Sequence, residues 1–174
     1  MSVVKDITAK AKRVQRDYAG EADRPLGGYV GAMGAYGAFV GGLTALGRAL
    51  GARLPRRVGA GDTLLLGTAT FKASRMLAKA AITSPLRAPF TRYEEPAGED
   101  ELNESVPGKG HAEHAVGELV SCPFCLDVWI GTGLAAGLVL APRPTRLAAT
   151  VLTVVGAADV LHLLYDAGKK LAAG

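Results

Sequence analysis

Aromatic residues and cysteines are both scarce in this chain. Of its 174 residues, 6% are Phe, Trp or Tyr, and only two are cysteine. Two cysteines cannot form the framework of a disulfide-stapled domain, and no repeat of fixed period indicates a solenoid. The small aromatic fraction suits closely packed membrane helices better than a globular core centred on rings.

Motifs for the common catalytic and nucleic-acid-binding chemistries are also lacking. The glycines at positions 59 and 61 are not followed by the Gly-Lys-Ser/Thr of a phosphate-binding loop. No nucleophile elbow or His-Glu-x-x-His zinc motif occurs. The net charge of +4 comes without interleaved aromatics or zinc-finger spacing. We therefore expect a protein that is not an enzyme, carries no cofactor and binds no nucleic acid.

Small and apolar residues dominate instead. Hydrophobic residues make up 49% of the chain, and a further 23 residues are glycine. Together they exceed the share of roughly 45–50% that is usual in soluble domains. This composition predicts a membrane protein whose helices pack closely against one another.

The longest uncharged stretch, residues 25–47, is long enough to cross the bilayer. We do not expect a cleaved signal peptide here, because a long charge-rich segment precedes the stretch. Its glycines recur at spacings that let a neighbouring backbone approach closely. The predicted helix-packing residues are Gly27, Gly31, Gly34, Gly37 and Gly41.

A second apolar stretch begins near residue 58 and becomes basic toward residue 80. Lys72, Arg75 and Lys79 recur in it at helical spacing. The pattern fits an amphipathic helix on the membrane surface, and it also fits a spanning helix whose basic end reaches the headgroups. Prolines after residue 84 end the helix in either case.

Two further spans are predicted, over residues 120–141 and 147–164. A Pro-Arg-Pro sequence makes the turn between them, and Thr145 can cap the last span. Residues 93–117, which come before both, are rich in acidic residues, proline and glycine and predict a solvated, partly flexible loop. Residues 58–166 would then form one membrane domain.

The positions of the lysines and arginines predict the orientation. With four spans, most basic residues fall on the side of the N-terminus, which the positive-inside rule places in the cytoplasm. A second helix lying on the surface would move that excess outside, so the charge count favours spanning. We therefore predict an all-α bundle of about four transmembrane helices. Residues 1–24 form a basic amphipathic segment along the cytoplasmic surface, with an apolar stripe of Val3, Ile7, Val14 and Tyr18.

In this topology several ionisable residues fall at the depth of the inner leaflet. Charges inside a membrane are costly unless they are paired, so we expect either Asp127 or Asp159 to face Arg75 or Lys79. His162 shares a helix face with Asp159 and would form a hydrogen bond nearby. The predicted buried polar cluster is Arg75, Lys79, Asp127, Asp159 and His162. It would either hold the bundle together or handle a ligand or a proton.

Both cysteines belong to one Cys-Pro-Phe-Cys sequence at the predicted start of the third span. A thiol at a helix N-terminus ionises more readily, which suits metal binding or redox exchange. Zinc takes four ligands, and His111 and His114 could complete a set with Cys122 and Cys125. Redox exchange is less favoured, since cytoplasmic thiols stay reduced and no further cysteine could shuttle electrons.

Four stretches, residues 62–74, 83–93, 114–129 and 159–165, resemble DUF1360, a bacterial family common in actinobacteria. The Gly-Glu-Leu sequence followed by Cys-Pro-Phe-Cys and Trp is the most specific part. The resemblance implies a small integral protein of the bacterial inner membrane with no established activity, and it implies variation at Phe124 and Asp127. The shared polar residues that it implies are Asp62, Arg75, Arg87, Glu118, Cys122, Cys125, Asp159 and His162.

These features favour a non-enzymatic scaffold or accessory subunit that contacts membrane lipid. Its partners would be other membrane subunits or a second copy of the chain, bound through the glycine face of the first span. One alternative is a metal or thiol-redox site at Cys122 and Cys125, with zinc as the cofactor. Another is a small transporter or channel that uses the buried polar cluster.

Overall fold

Helices account for most of the residues that the computed structural model describes, which are 2–19, 25–107 and 110–173. A short 3₁₀ turn at Ala81–Thr83 follows the third helix. The elements in chain order are α1 (Ser2–Ala19), α2 (Leu26–Ala49), α3 (Ala60–Lys79), α4 (Ser84–Arg87), β1 (Arg92–Gly98), β2 (Glu101–Ser105), α5 (His111–Ser121), α6 (Pro123–Leu140) and α7 (Pro142–Ala173).

Three of the described helices are long and apolar enough to cross a membrane. They are Leu26–Ala49, Pro123–Leu140 and Pro142–Ala172, and they contain most of the predicted first, third and fourth spans. The second predicted span forms α3, which is long enough but too polar to meet the same standard. Three basic side chains in its second half lower its hydropathy. By this measure the described part of the chain has three candidate spans.

The junction between α6 and α7 differs from the predicted turn. Only Ala141 separates the two helices, and both prolines of the Pro-Arg-Pro sequence lie in the first turn of α7. Proline is tolerated there because the first helical N–H groups have no partner within the helix. Thr145 is consequently inside α7, where its hydroxyl donates to the Ala141 carbonyl at 2.8 Å. The last helix is therefore longer than the predicted span.

The four helices α2, α3, α6 and α7 alternate in direction. Asp62 and Arg146 meet near the start of α3 and α7, and Lys72 meets Asp159 farther along both helices, so α3 and α7 run parallel. A one-residue turn joins α7 to α6, which therefore runs the opposite way. α2 runs with α6, since Phe39 packs on Trp129 and Gly47 lies beside Leu140. In the order α2, α3, α6 and α7, each helix thus runs opposite to the previous one.

The centre of the bundle is built from small side chains on α3. Ala69, Ala73, Ser74 and Ala78 of this helix are buried, and α3 packs along both α6 and α7. In contrast, α2 and α6 have no buried residue. Of the four helices α2, α3, α6 and α7, the least apolar one, α3, is therefore the most enclosed. Small side chains allow such close helix packing.

A two-stranded antiparallel sheet closes the end of the bundle where α3 finishes. β1 and β2 lie within the segment predicted as a loop, so the all-α prediction needs correction at this point. The turn uses Gly98 (φ 134°) and Asp100 (φ 60°), residue types that tolerate positive φ. The Ala81 amide donates to the Asp100 carbonyl at 2.8 Å, which ties the hairpin to the end of α3.

Candidate functional site

The two cysteines lie where the chain bends from α5 into α6. Cys122 has an extended backbone and caps α6, while Pro123 occupies its first turn. The Cys125 amide donates to Cys122 Sγ at 3.3 Å. Both thiols are free, with Cys122 partly buried and Cys125 exposed. The sequence places the thiols side by side because a helix N-cap and the third residue after it face each other.

One turn before the cysteines, Glu118 links α5 to α2. The Tyr29 hydroxyl donates to Glu118 Oε2 at 2.5 Å, and His114 Nε2 lies 3.4 Å from the other carboxylate oxygen. Glu118 is also within electrostatic range of Cys125. We call Tyr29, His114 and Glu118 the Glu118 cluster. It is a partly buried acidic group held by one phenol and one imidazole.

The four residues predicted to bind zinc are not brought together. His111 is exposed, with Nδ1 3.6 Å from the position that a Cβ on Gly27 would take. Across the described residues, no three His, Cys, Asp or Glu side chains are grouped closely enough to hold a metal ion. His114 faces Glu118, and its Nδ1 is buried without a hydrogen-bond partner. The geometry leaves Cys122 and Cys125 as a pair of thiols.

The residues predicted as a buried polar cluster are separated in the structure. Asp159 pairs with Lys72 at 2.5 Å, in place of Arg75 or Lys79. Arg75 forms two hydrogen bonds with Glu101 of β2, at 3.0 and 2.5 Å. His162 is exposed.

The other two residues of the predicted cluster have no opposite charge against them. Within the described ranges, Lys79 makes no ion pair, and one carboxylate oxygen of Asp127, Oδ1, is buried without a partner. Unpaired buried polar atoms are costly, so Asp127 is the least satisfied of the predicted residues.

The most buried ion pair was not predicted from the sequence. Arg87 is 1% exposed, and its Nε donates to Glu104 Oε2 at 2.6 Å. Its guanidinium also donates to the carbonyls of Leu77 and Ala80 and to the hydroxyl of Thr83. A planar guanidinium has enough donors to satisfy several groups at once. Arg87 thus closes the last turn of α3 and fixes the hairpin to it.

The glycines of α2 divide into two faces. A Cβ on Gly28 would lie 2.1 Å from the His111 carbonyl oxygen and 2.7 Å from Ala115 Cβ, so α5 approaches the bare backbone there. An apolar cavity of about 320 Å³ continues beside this contact, with Trp129 in its wall. Four of the five predicted glycines, Gly31, Gly34, Gly37 and Gly41, would meet nothing within 4 Å. Gly34, Gly37 and Gly41 therefore point away from the rest of the described chain, whereas Gly27 meets His111 and Gly31 lines the cavity.

Comparison with known sequences places this arrangement in a family. The profile of "Protein of unknown function (DUF1360)" matches residues 65–165, more than half of the chain. The chain belongs to the DUF1360 family. A relative, "Sporulation protein YjcA" of Bacillus subtilis (strain 168), is 29% identical over 105 residues, or 59% of this chain and 89% of the relative. No solved structure matches the chain significantly.

The family match begins inside α3, so α1 and α2 precede the DUF1360 region. Glu118, both cysteines and the Lys72–Asp159 pair lie within the matched residues. Tyr29 lies outside them but completes the Glu118 cluster. In this chain, α2 thus forms one side of a site whose other residues belong to the DUF1360 region.

Proposed function

We propose that this protein is a membrane-spanning scaffold or accessory subunit that associates through the outward face of α2. The observation that carries the proposal is the open glycine face. Gly34, Gly37 and Gly41 lie on the side of α2 opposite Tyr36 and Phe39, which pack on α6. Small residues spaced four apart let two membrane helices approach closely. We take a second copy of the chain as the partner, since two such smooth faces are complementary to each other.

The packing of α3 supports four spans. α3 runs beside α6 and α7, contacting Thr153 near its start and Asp159 farther along. Placing α6 and α7 across a bilayer therefore carries α3 across with them. Three of its charged side chains, Asp62, Lys72 and Arg75, are tolerable there because neighbouring helices and the hairpin supply partners. The fourth, Lys79, is the last residue of the helix, from which a long side chain can reach the headgroups. The three-span alternative would require α3 to leave this contact.

The proposed orientation puts the hairpin, α5 and the N-terminus in the cytoplasm. The hairpin and α5 lie at the end of the bundle where α6 begins. The start of α2 lies at the same end, because α2 and α6 run in the same direction. Most of the lysines and arginines outside the spans lie at this end, and the positive-inside rule assigns such an end to the cytoplasm. The membrane would be the bacterial inner membrane, as the family resemblance implies.

Single-molecule photobleaching of the labelled full chain in dilute liposomes tests the association. We expect wild-type dimers, and a fall of about tenfold or more in association with Gly37→Leu together with Gly41→Leu, because the added side chains hold the two backbones apart. Ala157→Leu is the matched control, since it enlarges an exposed small residue on α7. Wild-type monomers, or an equal effect of the control, would reject the proposed contact.

One observation favours a second candidate function, a thiol site at Cys122 and Cys125. The thiols are adjacent, and that of Cys125 is exposed. An incoming soft metal ion could therefore reach both. Metal analysis of purified protein beside Cys122→Ser tests this candidate. Zinc or copper bound to the wild type and lost in the variant would support it, whereas equal, trace contents would remove it.

A further inference from the structure

The N-terminal helix α1 presents an apolar stripe that no other described residue covers. Ile7, Val14 and Tyr18 are 63%, 53% and 69% exposed. They fall on one side of the helix, because their spacing of seven and four residues keeps them on one face. An isolated helix of this length is marginal in water, and helices in proteins depend mainly on packing of their apolar face. A surface outside the described chain must therefore support α1.

The opposite side of α1 is basic. Lys12, Arg13 and Arg16 are exposed there, and Lys10 lies beside the apolar stripe. Asp17 offsets part of this charge, but its contact with Arg13 is long, at 4.0 Å, and exposed. The helix carries a net positive charge over an apolar stripe. This combination fits a surface that is apolar inside and negatively charged outside.

The distance along the chain keeps α1 close to the membrane surface. Six residues separate Ala19 from Leu26, the first residue of α2. Even fully extended, that length spans only about 20–25 Å. α1 is thus held near the point where α2 enters the bilayer, at the end with most of the basic residues.

We infer that α1 is a docking helix for anionic phospholipid, lying in the headgroup layer with its apolar stripe inserted. The inference rests on the membrane placement of α2 proposed above. Neither the stripe nor the charge suffices, since stable attachment of a short helix takes both apolar insertion and electrostatic attraction. Docking is therefore sensitive to lipid charge and to salt. α1 precedes the region matched by the DUF1360 profile, so this activity is an addition to the family fold.

Hydrogen exchange of the full chain in nanodiscs tests the inference. The probes are discs of phosphatidylcholine alone and discs that also contain phosphatidylglycerol. We expect the amides of α1 to be protected in the anionic discs at low salt and to exchange freely in neutral discs or at high salt. Reversing two charges, with Lys12→Glu and Arg16→Glu, should lower the protection by about tenfold or more.

Two controls separate the possible outcomes. Arg56→Glu with Arg57→Glu reverses two exposed charges outside α1 and should leave its exchange unchanged. The amides of α2 report the membrane placement itself, because a spanning helix is protected in both kinds of disc. Free exchange of α2 would reject the proposed spanning. Protected α2 beside an α1 that exchanges freely in anionic discs, or equally slowly in neutral discs, would overturn the lipid inference alone.

Discussion

The Lys72–Asp159 pair offers a quantitative test of what holds α3 to α7. The two charged atoms are 2.5 Å apart, and at an effective dielectric of about 20 their attraction is about 7 kcal/mol before desolvation. Desolvation costs several kcal/mol for each ion, so the net gain is much smaller. Removing one partner of a buried pair costs about 3–5 kcal/mol. Because these side chains are 20% and 47% exposed, we expect about 1–3 kcal/mol for Lys72→Met or Asp159→Asn.

A double-mutant cycle measures the coupling directly. Unfolding by detergent in mixed micelles can be followed through Trp129, the single tryptophan, which packs against Tyr36 and Phe39. We expect the double variant to lose about 1–2 kcal/mol less than the sum of the single variants. Asp17→Asn is the control, because its exposed pair with Arg13 should contribute nothing measurable. Additive single effects, within about 0.3–0.5 kcal/mol, would refute the interhelical role.

Three further substitutions test the remaining contacts in the same unfolding assay. Gly28→Ala should destabilise by about 1–3 kcal/mol, since its Cβ would meet the α5 backbone. Gly67→Ala on α3, where a Cβ would meet nothing within 4 Å, should be neutral or stabilise by up to about 1 kcal/mol; equal effects would contradict the close approach. Arg87→Met should cost about 3–5 kcal/mol by leaving Glu104 buried without its partner, and a loss below about 1 kcal/mol would contradict that contact. Cys122→Ala should cost about 1 kcal/mol or less and Cys122→Ser less still, because the hydroxyl retains the cap; identical losses would argue against capping.

The apolar helices were predictable because their signal is local. A run of uncharged residues over 25–47 satisfies the length requirement without any tertiary information, and α2 occupies nearly the same residues. The hairpin was not predictable in this way. β1 contains Glu94, Glu95 and Pro96 and has no alternating apolar residues. Its place is fixed by contacts with distant residues, such as the bond from Ala81 to the Asp100 carbonyl.

The ion pairs of α3 were likewise not predictable from local sequence patterns alone. The cost of an isolated charge in a membrane predicts a cationic partner for Asp127 or Asp159, taken from the sequence as Arg75 or Lys79. Choosing the partner requires the relative height of α3 and α7, which neither helix encodes alone. In the structure Lys72 lies against Gly156 of α7 and pairs with Asp159, while Arg75 pairs with Glu101 of the hairpin.

The Glu118 cluster depends on residues that no local pattern connects. Tyr29 and Glu118 are 89 residues apart, and Tyr29 precedes the region that the family profile matches. The tyrosine reaches Glu118 because Gly28, beside it, lets α2 lie directly on the backbone of α5. Gly28 therefore sets the short distance between α2 and α5, and Tyr29 forms its hydrogen bond across that distance. A larger residue at position 28 should lengthen the Tyr29 hydrogen bond as well as destabilise the bundle, and Tyr29→Phe should release Glu118 while leaving the helix contact intact.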